Sequence, residues 1–212
     1  MDNLKRLSLL LFVSLFLVQV SEAQQLFVSG SLNLTSSSSE QTVGGTTDEG
    51  PTTSTFGLNP KVGYYVSEDL AIGAGIGFNR NKTTTPGNPE TVRTGSNFYL
   101  NPFARYYLLN EGRFGVFGEG GLTFGFGSSE VSSGGTTNEG PSVSTFEIYA
   151  APAIEFALTD MVALEARIGS LAFETEKEET DLGGGTTSTD KSSSFGLRLF
   201  PNSFNFGIRV SL

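Results

Sequence analysis

Apolar and polar residues alternate through most of this chain, most clearly between Phe146 and Leu158. Phe146, Ile148, Ala150, Pro152, Ile154, Phe156 and Leu158 occupy the even positions, with Glu147, Tyr149, Ala151, Ala153, Glu155 and Ala157 between them. A period of two is the strand period, because successive side chains leave a β-strand on opposite faces. Thr159-Asp160 turns the chain, and Val162, Leu164, Ala166 and Ile168 resume the apolar side against Glu165 and Arg167. The same alternation predicts strands at about 25–35, 55–66, 70–80, 96–108, 113–127, 144–158, 161–174 and 194–212. No stretch carries a helical period of 3.6, and Gly and Thr are too frequent for helices.

The connections between these strands alternate in length. Those near 67–69, 109–112 and 159–160 are tight, whereas 36–54, 81–95, 128–143 and 175–193 are long and built from Ser, Thr, Gly, Pro and acids. The long connections repeat: GGTTDEGPTTSTF at 44–56 matches GGTTNEGPSVSTF at 134–146, and GGTTSTDKSSSF at 184–195 is a weaker echo. Eight strands with long connections on one side and short turns on the other predict an all-β fold, an eight-stranded antiparallel up-and-down transmembrane β-barrel with four long outer loops and short periplasmic turns.

Strand parity assigns the two faces. The expected lipid-facing set includes Phe56, Leu58, Phe98, Leu100, Phe114, Val116, Phe146, Ile148, Ile154, Phe206, Ile208 and Val210. The opposite face carries Lys61, Arg105, Arg113, Glu119, Glu147, Glu155, Glu165, Arg167 and Arg209 among glycines, and is expected to form a polar network in the lumen. An eight-stranded barrel is only wide enough for side chains to fill it, so these charges should pair rather than line a channel. Tyr64, Tyr65, Tyr106 and Tyr107 lie near the short turns, and Phe56, Phe98, Phe126 and Phe146 near the long connections, as two interfacial girdles would. In the last strand Phe195, Leu197 and Leu199 are apolar on odd numbers but Phe204, Phe206 and Ile208 on even ones, so a bulge or break is expected at Pro201.

Residues 1–23 have a different character. A short basic start with Lys5 and Arg6, an apolar run from Leu7 to Val20 and Ser21-Glu22-Ala23 read as a cleaved signal peptide, leaving 24–212 as the barrel domain. The run falls short of the ~20 residues a spanning helix needs. Its removal leaves 11 basic and 20 acidic residues, so the net charge stays at the −9 of the full chain, which disfavours nucleic acid as a partner. The chain has no Cys, so no disulfide holds an exported protein of this kind together. It also has no His, which removes Ser–His and Asp–His hydrolytic mechanisms. Paired carboxylates such as Glu155 and Glu165 could do acid–base work in principle, but their arginine neighbours favour ion pairing.

The signal ending Ser-Glu-Ala-Gln-Gln, hairpins such as FYLNPFARYYLLNEGRFGVFGEGGLTFG (98–125) and the tail PNSFNFGIRVSL (201–212) resemble the small outer-membrane β-barrel proteins of the OmpA/OmpX type, especially the barrel-domain family abundant in Bacteroidetes. The resemblance implies a Gram-negative cell outer membrane location, with long loops extracellular and both mature termini periplasmic. It implies outer-membrane lipid and lipopolysaccharide as surroundings, and a C-terminal strand read by barrel-insertion machinery, although Leu212 stands where an aromatic residue is usual. The expected function is a structural or surface-interaction role, such as envelope integrity or adhesion, in a monomer with no enzymatic activity and no cofactor. A narrow porin-like pore and an exported soluble β-protein are the alternatives.

Overall fold

The computed structural model describes residues 26–43, 45–198 and 204–212. They form ten β-strands and no helix: β1 (Leu26–Val43), β2 (Thr46–Tyr65), β3 (Leu70–Thr85), β4 (Thr91–Glu111), β5 (Phe114–Ser133), β6 (Thr136–Ala157), β7 (Val162–Ile168), β8 (Ser170–Asp181), β9 (Thr187–Arg198) and β10 (Phe204–Ser211). Each of β1 to β6 pairs antiparallel with the next in sequence. β6 then pairs with β7 near the short turns and with β8 near the long hairpins. β10 continues the ring from β7, β9 pairs with β8, and β1 closes on β10 from Phe27↔Ser211 to Gly30↔Ile208. β7 with β8, and β9 with β10, thus act as single composite strands, and the barrel has eight staves.

The long connections, expected as loops, are largely strands. Most of their length is paired β-structure, leaving turns at Gly45 and at 86–90, 134–135 and 182–186. Strands of 16 to 22 residues in β2 to β6 are about twice the ~9–11 residues that a membrane-crossing strand needs. Beyond the apolar belt both faces meet water, so the ladder continues on Thr and Ser while the apolar alternation that marked the strands stops.

The two matching repeats share one irregularity. Ser38 pairs with Thr52 and Glu40 with Glu49, so Ser39 alone faces Gly50-Pro51. Ser128 pairs with Ser142 and Glu130 with Glu139, so Ser129 alone faces Gly140-Pro141. The serine hydroxyl donates to the proline carbonyl in both, at 3.2 Å from Ser39 and 3.1 Å from Ser129. Proline has no N–H for the ladder, and a bulge is where a sheet tolerates it. The third echo lacks the Glu-Gly-Pro step, and β8–β9 pairs without a register shift.

The break between β7 and β8 is Gly169, at φ 122°, a backbone conformation closed to ordinary L side chains. Across it the exposed face changes from even Leu164 to odd Leu171 and Phe173. The phase flip expected in the last strand therefore has a counterpart on the adjacent stave. Ile168 pairs with Phe204 and Ser170 with Arg198, so one stave advances two residues where its neighbour advances six. Pro201 itself, where the break was expected, lies outside the described residues, as does the 1–23 segment. Gly169→Val is expected to cost about 1–3 kcal/mol through backbone strain. Gly118→Ala, where a Cβ meets nothing within 4 Å, should stay within about 0.5 kcal/mol of wild type. Urea unfolding of the refolded barrel in micelles measures both.

The outward face is an apolar belt. Phe56, Leu58, Phe98, Leu100, Phe114, Ile148, Phe206 and Ile208 are exposed on it, and Val116, Phe146, Ile154 and Val210 are partly exposed. The tyrosine girdle is a correction: Tyr106 is exposed, but Tyr65 and Tyr107 turn inward and join hydroxyls at 2.9 Å. Their odd numbers place them on the lumen face despite their position near the strand ends.

Candidate functional site

Inward positions of the barrel pair large side chains with glycines. Phe27 is fully buried, and its ring occupies the space that a Cβ on Gly63 would take. The Phe103 ring fills the same kind of space over Gly73, with its Cζ 2.5 Å from where a Cβ would stand. Phe27, Tyr65, Tyr107 and Phe117 then stack in sequence, with ring centroids 5.3, 5.8 and 5.1 Å apart. This aromatic layer lies in the lumen toward the short-turn end.

Beside it runs a continuous ionic lattice. Glu119, 1% exposed, accepts from Lys61 Nζ at 2.6 Å, Arg105 Nε at 2.8 Å, Tyr149 Oη at 2.9 Å and Arg167. Arg105 also donates from both terminal nitrogens to Glu165, at 2.6 and 3.0 Å. Arg209 grips Glu155 bidentately through Nε and one terminal nitrogen, at 2.8 and 2.7 Å, and Tyr107 Oη donates to Glu155 at 3.3 Å. The Arg105 guanidinium carbon lies 4.6, 5.0 and 5.4 Å from the ring centroids of Phe117, Phe27 and Phe103. Cation–π attraction and bidentate pairing together offset part of the desolvation that burial imposes on a charge. Among the described residues no buried side-chain nitrogen or oxygen lacks a hydrogen-bond partner.

Of the residues expected in the lumen, Lys61, Arg105, Glu119, Glu155, Glu165, Arg167 and Arg209 are thus brought together. Glu147 faces the same space and accepts from Thr123 Oγ1 at 3.2 Å. Arg113 is the exception and a correction: it is exposed beside the positive-φ Gly112 at the short turn, beyond the lattice's reach. Parity placed it inward, but the stave ends before the lumen begins. Sequence reasoning also missed Phe27 and Tyr107 as parts of the plug. An aromatic residue at an odd position, opposite an odd-numbered glycine such as Gly63, was the available signal for Phe27.

Past the lattice, toward the long hairpins, lies a polar cavity of about 300 Å³. Asn59, Lys61, Tyr99, Asn101, Glu147 and Arg167 are among its walls. Asn101 ties this level together, donating to the Leu122 carbonyl at 2.7 Å and accepting from Tyr149 Oη at 3.1 Å. Glu155 and Glu165 are cross-strand neighbours, each held by an arginine; Glu165 reaches the cavity wall, whereas Glu155 does not line it. Among the described residues no group of three or more Asp or Glu side chains is arranged to hold a metal ion.

A closed antiparallel barrel with an apolar exterior and a charged, packed interior is the architecture of outer-membrane proteins. Solved structures share it. The chain is similar to a major outer membrane protein from Thermus thermophilus (14% identity, TM-score 0.51, 90% of this chain and 100% of the other). It is also similar to the outer membrane protein OprG from Pseudomonas aeruginosa (12%, 0.48, 90% and 98%) and to Neisserial surface protein A (13%, 0.42, 90% and 100%). At these identities the likeness concerns the fold alone. No curated protein sequence is significantly similar to the chain. Residues 8–200 match the outer membrane protein beta-barrel domain. With that match spanning most of its length, the chain belongs to the outer membrane protein β-barrel domain family.

Proposed function

We propose that this outer-membrane barrel serves as an anchor, closed in its lumen, for a protruding β-sheet that makes contacts at the cell surface. The long hairpins face the exterior, and both ends of the mature chain face the periplasm. The observation that carries the reading is the pair of sheet edges above the belt. Residues 31–41 of β1 pair only with β2, and residues 187–197 of β9 only with β8, among the described residues. A sheet edge offers its N–H and C=O groups to an extended segment of another chain, which is how β-augmentation works. Wrapping eight hydrogen-bonded strands into a rigid platform holds these edges away from the lipid surface.

The reading involves no catalytic step. Hydrophilic hairpins with outward Glu40↔Glu49 and Glu130↔Glu139 cross-strand pairs resist self-association, since like charges repel when copies stack, and we assign a monomer. A narrow pore is the second reading, and the 300 Å³ cavity is what favours it. The aromatic and ionic layer beneath that cavity weighs against it.

The test replaces residues 178–190 with a two-residue Asn-Gly turn, which shortens the β8–β9 edge and leaves the belt intact. Cells displaying this variant should adhere to immobilised protein surfaces several-fold less than cells with the full chain, at equal amounts of heat-modifiable barrel. Unchanged adherence together with altered influx of small solutes would contradict the surface role and favour the pore.

A further inference from the structure

Arg80 and Lys82 are exposed cations two residues apart on one strand face. Both leave β3 on the outward face shared by exposed Ile72, Ile76 and Phe78, and both are exposed. Arg80 pairs across the sheet with Phe56 and Ser96, and Lys82 with Ser54 and Thr94. Arg80 thus shares a cross-strand row with Phe56 at the edge of the belt, one step beyond Phe78, and Lys82 lies one step further. A step of two residues rises roughly 5 Å along a tilted strand, so the pair stands at the rim of the apolar belt.

Neither residue forms an ion pair among the described residues, whereas the cations of the lumen all do. The nearest outward carboxylate in register, Glu130, lies on the far side of Thr94. Two like charges two residues apart on one strand face repel each other, and an anion between them relieves this. The chain as a whole is acidic, so its overall field does not draw anions to this spot. Beside the pair is a groove of about 480 Å³, apolar at Leu34 and Phe56 and cationic at Arg80 and Lys82. It is continuous with the lipid-facing belt.

We propose that Arg80 and Lys82 bind the phosphate group of a membrane lipid whose acyl chains lie against Leu34, Phe56 and Phe78. A guanidinium fork and an ammonium give a phosphate several charge-assisted hydrogen bonds, while the groove's apolar end takes the chain beneath it. The proposal rests on membrane placement by family membership and not on the surface-contact role, so failure of either leaves the other standing.

The experiment titrates the folded barrel in micelles with a bisphosphorylated glucosamine lipid and with the same lipid dephosphorylated, reading bound lipid by native mass spectrometry. The phosphorylated lipid should bind preferentially, and R80Q/K82Q should weaken it on the order of tenfold, as expected for the loss of one or two charge-assisted bonds. R113Q, which removes a charge at the opposite end, should bind like wild type, and heat-modifiable gel migration confirms that each variant is folded. Equal binding of the dephosphorylated lipid, or undiminished binding by R80Q/K82Q, overturns the proposal. Displacement of the lipid by millimolar inorganic phosphate would also overturn it, by making the pair a free-anion site.

Discussion

Glu119→Ala is expected to lower the unfolding free energy of the refolded barrel by about 3–5 kcal/mol. Lys61, Arg105 and Arg167 all converge on this one carboxylate, and Tyr149 adds a hydroxyl. Removing it leaves Lys61 and Arg105, 15% and 2% exposed, without their shared counter-ion. Arg105 keeps Glu165, but Lys61 has no other ion pair among the described residues. The cost is that of an uncompensated buried charge rather than of one salt bridge. Arg167→Gln provides the contrast: its side chain is 31% exposed, so water can replace part of what it loses, and the effect should stay near 1 kcal/mol. Urea titration in lipid vesicles, followed by far-UV circular dichroism, separates the two. Equal costs for both substitutions would show that Glu119 is not the centre of the lattice.

The second large effect concerns passage through the barrel. Tyr65, Tyr107 and Phe117 form the layer toward the short-turn end, with centroid spacings of 5.8 and 5.1 Å. Truncating all three to Ala removes three rings from a lumen of the width that side chains fill, and leaves a space beside the charged Glu155 and Arg209. The triple variant is expected to pass small ions, and wild type none. The change is qualitative, from silence to resolvable steps in a planar bilayer. The ion pairs of the lattice are left in place, although the Tyr107 hydrogen bond to Glu155 and the Phe117 ring beside Arg105 are lost, and heat-modifiable migration checks that the variant folds.

Strand parity made the barrel legible because the two faces of each stave meet lipid and a packed interior, environments that select opposite side chains. The same parity gathered Lys61, Arg105, Glu119, Glu155, Glu165, Arg167 and Arg209, which the structure joins. It failed where one face does not decide the residue. Arg113 has lumen parity but sits at a turn, where neither environment applies. The hairpin arms above the belt are mostly polar on both sides, so their strands left no alternation to read. Position along a stave misled the reading of Tyr107, whose end of the strand suggested a girdle while its parity pointed inward; Tyr65, also near a strand end, was legible as inward from its parity. The Glu-Gly-Pro bulges were visible only as a repeated string, since a bulge is a property of two paired strands and the partner serines lie elsewhere in the sequence. Gly169 carried a signal, the change from apolar even to apolar odd positions at Leu171 and Phe173, of the same kind as the one found near Pro201.

The claim on which the rest depends is that side chains close the lumen of the native barrel. Single-channel recording of the wild-type chain in planar bilayers tests it most directly. No resolvable conductance steps are expected from wild type, under conditions where the Tyr65, Tyr107 and Phe117 triple variant gives them. Stable wild-type steps that scale with salt concentration would contradict a closed lumen and make the cavity above the lattice part of a pore.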